Sequence, residues 1–525
     1  MKRFAFINVP SQELERPPAA AAAISACVRS AGWECNVYDF NLFLHSNVNT
    51  EEWIELEQYW RCKKFNLEPA TQNTLDEVIN KFLDSIVEFN PDMVGLSVFT
   101  RFSVISASVM LKHVRSRMKS KIVIGGLGAY AWPGSLPNLA EHPLALDATT
   151  FSDYALKTGL VDYYIQGEGE YAIIELLNGN IEYGGINGKP AEQIRKLDTL
   201  PHPEYHGIDP SNYYYTSEPG IYITASRGCV RNCKFCSISD MWPKYTNRSA
   251  SDVVEEIING KKKYNVNLFH FTDSLINGNM KMWREVNRQL VEAKQQDPSL
   301  QPIKYLGQFI CRTRFDQTEK DWELMAKAGC DMLVTGFESY SPAVRKHMGK
   351  NHSNADIDFH FAQSAYHGIK NVCLMFVGYP TETLRDHEYN IEFLHRYQKY
   401  ARAGVIHMVR WGYTGMFREE GKMIGDSDVK LITDPDFAKR FHNLPQGLRD
   451  IALGFGWVNQ NNPTLTLKER IRRRLELHEV SVKLGWPQTR NREELQILYN
   501  ILQNLDQNII DAQDFENLET LLDFH

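Results

Sequence analysis

Cys229, Cys233 and Cys236 share one short loop, Ser226-Arg227-Gly228-Cys229-Val230-Arg231-Asn232-Cys233-Lys234-Phe235-Cys236, which directly follows an apolar run at 220–225. Three thiolates on a tight loop can ligate three irons of a cubane and leave the fourth iron without a protein ligand. An iron left open can be chelated by a cofactor that then accepts an electron. Structural zinc is the other chemistry such thiols perform, but it wants four closed ligands, and no neighbouring Cys or His completes a paired set. The other cysteines, Cys27, Cys35, Cys62, Cys311, Cys330 and Cys373, are scattered mostly through apolar segments. They read as small hydrophobes rather than as the disulfide framework of a secreted domain.

Two alternating series of strands and helices must position this loop. In the first, strands are expected at 4–9, 35–40, 91–98, 121–124 and 162–166. Helices are expected at 19–30, opened by Pro17-Pro18, and at 74–89 and 104–118. Such alternation argues for a parallel, doubly wound sheet whose ligands lie at the carboxyl ends of its strands. Ser97, Gly125-Gly126 and Gly167-Glu168 would gather there, and glycines after a strand allow close backbone approach by a nucleotide tail. In the second series, strands at 220–225, 268–272, 305–310, 332–336, 372–378 and 406–408 alternate with helices at 253–264, 282–294, 320–328, 356–368 and 386–401. Six repeats suggest a partial or full (β/α) barrel, with its chemistry at the carboxyl ends of the strands. The chain is therefore α/β, divided as a Rossmann-like domain at 1–186, a proline-containing linker at 187–219, a barrel core at 220–412 and a helical C-terminal region at 413–525. In that last region 467–484 and 493–505 have helical patterns.

The loop Cys229-x3-Cys233-x2-Cys236, with Phe235 before the last cysteine, resembles the signature of radical S-adenosylmethionine (SAM) enzymes. Further segments match that family in order: Phe271-Thr272-Asp273-Ser274, Arg312–Asp316, Ala328-Gly329-Cys330, Gly336-Phe337-Glu338-Ser339 and Gly378-Tyr379-Pro380-Thr381-Glu382-Thr383. The resemblance covers roughly 220–400. It implies that the three cysteines hold a [4Fe–4S] cluster and that the open iron binds SAM, which reductive cleavage turns into methionine and a 5′-deoxyadenosyl radical. It places Phe235, Asp273, Ser274, Arg314, Gly336 and Glu338 about SAM, and implies an electron donor such as flavodoxin or ferredoxin. The N-terminal half resembles the cobalamin-binding domain found ahead of many such cores, on Pro17-Pro18, Asp92–Ser97, Gly125-Gly126 and Gly167–Glu170. That likeness places Ser97, Gly125, Gly126, Gly167 and Glu168 about a corrinoid. One departure is plain: nothing between residues 8 and 20 supplies the Asp-x-His-x-x-Gly loop, so any cobalt would be bound without a histidine from that loop.

The reading that follows is cobalamin-dependent methylation of an unactivated carbon in a small-molecule or peptide substrate. A rival is a radical SAM peptide epimerase without cobalamin, with Cys373 (or Cys311) as hydrogen donor. A rival of another class is a non-catalytic corrinoid or cluster sensor. Each site residue also has a structural alternative: Asp273 and Ser274 as strand-end caps, Glu338 as a cap of the helix opened by Ser341-Pro342, Arg314 as a surface ion pair, and the Gly378–Thr383 turn as architecture. A net charge of −7 with no long basic run does not favour a nucleic-acid backbone as partner. No run approaches the roughly 20 apolar residues of a membrane span, and the N-terminus has no signal-peptide core, so the sequence reads as cytoplasmic.

Overall fold

The computed structural model describes residues 1–10, 14–61, 66–130, 150–213, 218–236, 238–408, 422–423, 426–431, 457–459 and 462–486. Cys62 and the helix expected at 493–505 lie outside these residues. The chain divides into two compact units, one chiefly Met1–Ile223 with Glu255–Phe269, the other chiefly Thr224–Val254 with His270–Leu444.

In the first unit β1 (Arg3–Asn8), β2 (Glu34–Asp39), β3 (Met93–Ser97), β4 (Lys121–Gly125) and β5 (Tyr163–Ile165) form a parallel sheet of order β2-β1-β3-β4-β5. Successive side chains point to opposite faces, and both faces are covered. Ala5, Ile7, Leu96 and Ile124 join the helices Pro69–Phe89 and Val104–Arg117 in one apolar cluster. Phe4, Phe6, Val37 and Val123 join Ala19–Ser30 and Gly169–Leu177 in another. Burial on both sides is why β1 is apolar at consecutive positions. Gly95 has a packing reason, because a Cβ there would stand 2.4 Å from the Phe4 ring. The order reverses between β1 and β3, so the carboxyl ends of β1, β3 and β4 frame the crevice where such sheets bind ligands.

The segment expected to be a linker is instead strapped to this unit over its described part. Ala191 N donates to Gln166 O (2.8 Å), Glu204 N to Ala22 O (3.1 Å) and Val37 N to His206 O (2.9 Å). The Tyr213 hydroxyl donates to Asp39 at 2.6 Å.

The second series begins with β6 (Gly220–Ile223). The short antiparallel pair β7 (Ser226–Arg227) and β8 (Thr246–Asn247) brackets the cysteine loop. Then come β9 (Leu268–Phe271), β10 (Lys304–Phe309), β11 (Cys330–Glu338), β12 (Lys370–Met375) and β13 (Gly404–Met408). The sheet order is β6-β9-β10-β11-β12-β13, an open row of six strands that is parallel from β10 to β13. This is the partial barrel expected from the repeat. Helices return between strands, and reciprocal capping at Ser353/Asp356 and Thr383/Asp386 starts Asn354–Tyr366 and Leu384–Arg396. Thr383 thus caps the helix after the Gly378 turn, as the architectural reading of that turn requires.

Near the C-terminus Leu467–Lys483 is helical as expected. Three strands, Lys422–Met423, Asp426–Leu431 and Trp457–Asn459, add a small antiparallel sheet to the region read as helical. Among the described residues no helix is long and apolar enough to cross a membrane.

Candidate functional site

The cysteine loop is shaped from both ends. Gly228 has φ +83°, and a Cβ there would lie 2.8 Å from Lys244 O, so only glycine turns the chain out of β7. Within the loop Cys236 N donates to Cys233 O at 3.0 Å, and Arg231 N donates to Cys229 Sγ at 3.3 Å. Cys233 is buried and Cys229 and Cys236 are half-buried, all three as free thiols. Burial pushes each thiol above its usual value, each thiol feels another of the three, and the Lys350 ammonium opposes the shift. Among the described residues no three His, Cys, Asp or Glu side chains close around a single ion. A cubane asks something different of three thiols, one sulfur to each of three irons, and a loop with three separated thiols that sense one another suits it.

Asp273, read from sequence as either a cap or a SAM contact, is fully buried behind this loop. Its carboxylate accepts from Ser226 Oγ (2.5 Å) and Ala225 N (3.0 Å), and burial pushes it up to about 6. It therefore fixes the residues that lead into Cys229. Ser274 beside it is half-buried.

The carboxyl end of β11 holds a denser group. The register with β12 slips between Gly336 and Glu338, and Glu338 adopts φ +68°, a left-handed conformation rare for a non-glycine residue. Its Oε1 accepts from Lys350 Nζ at 2.9 Å, and both side chains are almost fully buried. Lys350 also donates to Gly336 O at 3.3 Å and stands 5.9 Å from the centre of the Phe235 ring. Gly336 leaves room for this pair, since a Cβ would fall 2.4 Å from Glu338 Oε1. Phe235 packs on Phe376, with ring centres 4.6 Å apart. Ser341, with Pro342 at the first helical position, caps Pro342–Met348 by accepting from Val344 N, so Glu338 is not needed as a cap. Sequence reasoning missed Lys350, because nothing in Gly349-Lys350-Asn351 distinguishes it from a surface lysine.

Other expected residues lie elsewhere. Arg314 is exposed over the Phe315 ring. Its neighbour Arg312 is the enclosed one and donates to Asn277 O and Gly278 O. Cys373 and Cys311 are buried in one apolar cluster with Phe337, Phe361 and Phe393, and burial pushes both thiols far up. Cys330 is likewise core.

At the carboxyl edge of the first sheet Ser97 is buried at the end of β3. A Cβ on Gly125 would make ordinary contacts with Ile165, at 3.5 Å from its O and 3.8 Å from its Cβ. The reason for Gly126 differs from the expected one: with φ +106°, its Cβ position lies 2.5 Å from Val98 O, so its own chain requires the glycine. Gly167 similarly meets Ala191 N at 2.8 Å, and Glu168 accepts from Ile194 N. What sequence reasoning passed over is apolar: Phe99 and Leu127 follow β3 and β4 and are 49% and 59% exposed. Beside Phe99, the Thr100 and Ser103 hydroxyls are buried and have no hydrogen-bond partner among the described residues.

Residues 223–394 match the radical SAM superfamily. An uncharacterised methyltransferase of Pyrococcus horikoshii is 24% identical over 324 residues, 59% of this chain and 65% of that protein. Cytidylyl-2-hydroxyethylphosphonate methyltransferase of Streptomyces wedmorensis is 27% identical over 307 residues, 53% of this chain and 56% of that one. The chain thus spans less than two thirds of the length of these relatives. Among solved structures, the radical SAM methyltransferase TsrM from Kitasatospora setae, with cobalamin and [4Fe–4S] cluster bound, has a TM-score of 0.54 at 17% identity over 77% of this chain and 71% of that one. The cobalamin-dependent SAM radical enzyme OxsB with aqua-cobalamin scores 0.55 at 17% identity, over 79% and 54%. The fold is shared with these two, and the match over residues 223–394 is to a radical SAM domain, which implies a [4Fe–4S] cluster and SAM.

Proposed function

We propose that this chain is a cobalamin-dependent radical SAM methyltransferase acting on an unactivated carbon of a small-molecule or peptide substrate. One observation carries the reading. The same chain has a three-thiol loop, with the Glu338–Lys350 pair beside it, and a sheet edge where Phe99 and Leu127 are about half exposed and the Thr100 and Ser103 hydroxyls have no partner among the described residues. An exposed apolar pair at a ligand-binding edge suits a broad, flat, largely apolar macrocycle better than a nucleotide alone.

In this reading Cys229, Cys233 and Cys236 hold the cluster, and Asp273 fixes the chain leading into Cys229. Glu338 faces the ribose hydroxyls of SAM, as its strand-end place in the family suggests, with Gly336 giving it room. Phe99 and Leu127 support the corrin face near Ser97 and Gly125, and the Thr100 and Ser103 hydroxyls are available to its polar substituents. No histidine occurs between residues 8 and 20, so cobalt takes no protein ligand from that loop. When bound, the cluster and SAM supply a 5′-deoxyadenosyl radical and the corrinoid supplies a methyl group. A flavodoxin or ferredoxin would deliver the electron.

The test is anaerobic purification followed by metal analysis and incubation with SAM and a reductant. Iron and cobalt together, 5′-deoxyadenosine, and a product heavier by one CH2 unit are expected. Iron without cobalt after growth with cobalamin, or a product of unchanged mass that gains deuterium from D2O, would refute methylation.

A further inference from the structure

Lys350 is a buried charged group beside the cysteine loop that sequence analysis did not single out, and its surroundings are specific. The helix Pro342–Met348 ends on Gly349 (φ +83°), which lets Lys350 N donate back to Arg345 O at 2.9 Å. The same helix end braces the cysteine loop. Lys234 N donates to Met348 O at 3.2 Å, and a Cβ on Gly349 would lie 3.4 Å from Asn232 O. From this fixed base the side chain reaches Glu338 at 2.9 Å and lies over Phe235, the residue before Cys236.

We infer that Lys350 is a positioning residue with an electrostatic role: it fixes the Glu338 carboxylate and offsets that carboxylate's charge beside the cluster, so that the pair sets the cluster's reduction potential. This rests on the reading that Cys229, Cys233 and Cys236 hold the cluster. Both charges lie beside the cysteine loop: Lys350 Nζ is 5.9 Å from the ring of Phe235, the residue before Cys236, and 2.9 Å from Glu338, while its helix end holds Lys234 N, the residue after Cys233. Reduction adds one negative charge to the cluster, so a nearby cation favours the reduced form and a nearby anion opposes it. With both present and almost fully buried the two effects largely cancel, and removing either charge exposes the other.

The experiment is an EPR-monitored redox titration of anaerobically reconstituted protein without SAM, compared among wild type, Lys350→Met, Glu338→Gln, the double variant and Lys350→Arg, with iron content measured on each. Lys350→Met should disfavour reduction by about tenfold in the reduced-to-oxidised ratio at fixed potential, about 59 mV for one electron. Glu338→Gln should shift it by a similar factor in the opposite direction. The double variant and Lys350→Arg should return close to wild type. A purely structural role would move both single variants the same way or neither. Full iron content with potentials unchanged, or shifted in the same direction, would overturn the inference while leaving the cluster assignment standing. A wild type without a four-iron cluster would overturn both.

Discussion

Replacing Arg473 by Met should destabilise the second unit by about 3–5 kcal/mol at neutral pH, and by more in alkaline solution. Arg473 lies on Leu467–Lys483, and its guanidinium is 2% exposed against a Glu382 carboxylate that is 0% exposed. It donates to Glu382 Oε1, Glu382 O and Thr383 O, each at 3.1 Å, while Nε pairs with Glu469 at 2.7 Å. Among the described residues the Glu382 carboxylate otherwise has the Gly378 amide, 3.2 Å from both oxygens, and His387 at 3.9 Å. Truncating one partner of a buried pair leaves an uncompensated charge, which typically costs about 3–5 kcal/mol. Even with Arg473 present, burial pushes the Glu382 carboxyl up to about 7, well above the ordinary carboxylate range. Its folded value is raised, so its contribution to stability is complete below about 4.5 and is lost as pH rises through about 7. Without Arg473 the carboxyl must fold protonated. The penalty then grows with pH, approaching about 1.4 kcal/mol per unit above the wild-type value. Glu382→Gln with Arg473→Met should recover most of the loss, since neither charge remains. Urea unfolding followed by circular dichroism at pH 6 and pH 8.5, on all four members of the cycle, measures this. An Arg473→Met cost under about 1 kcal/mol, or one independent of pH, would refute the reasoning.

Two further outcomes follow from the site. Asp273→Asn replaces one buried acceptor facing Ser226 and Ala225 with a donor, and should cost about 1–3 kcal/mol with faster loss of iron from the reconstituted protein. The Asp273 carboxyl is raised to about 6 by burial, so its contribution is present at low pH and lost as pH rises through about 6. The variant's deficit in thermal melting should therefore be larger at pH 5 than at pH 8. Phe99→Glu and Leu127→Glu alter exposed side chains and should leave stability within about 0.5 kcal/mol, yet cut cobalt content at least about tenfold with iron unchanged, if a corrin covers that edge. Unaltered cobalt in both would place the corrinoid elsewhere.

What the sequence made legible follows the range of the forces involved. Local signals were enough for both α/β series: apolar runs marked the strands, and Pro17-Pro18 the start of Ala19–Ser30. The cysteine loop was legible because its three thiols are close in the chain. Lys350 was not, because it meets Glu338 only when β11 and the helix after it fold back together. Leu467–Lys483 was legible as a helix, but not that it buries Arg473 against Glu382, far away in sequence. Gly126 was legible as a necessary glycine but not for its reason, since the close approach comes from Val98 of its own chain. Residues 187–219 looked like a linker because prolines exclude regular structure, whereas their described backbone is bonded to the first unit.

The most direct test of the account compares wild type with a variant in which Cys229, Cys233 and Cys236 are all replaced by Ala. Both are reconstituted anaerobically with iron and sulfide and then incubated with SAM and dithionite. The wild type should carry about four irons per chain and form 5′-deoxyadenosine, and the variant should do neither. A variant that still assembled a four-iron cluster, or still cleaved SAM, would contradict the central claim.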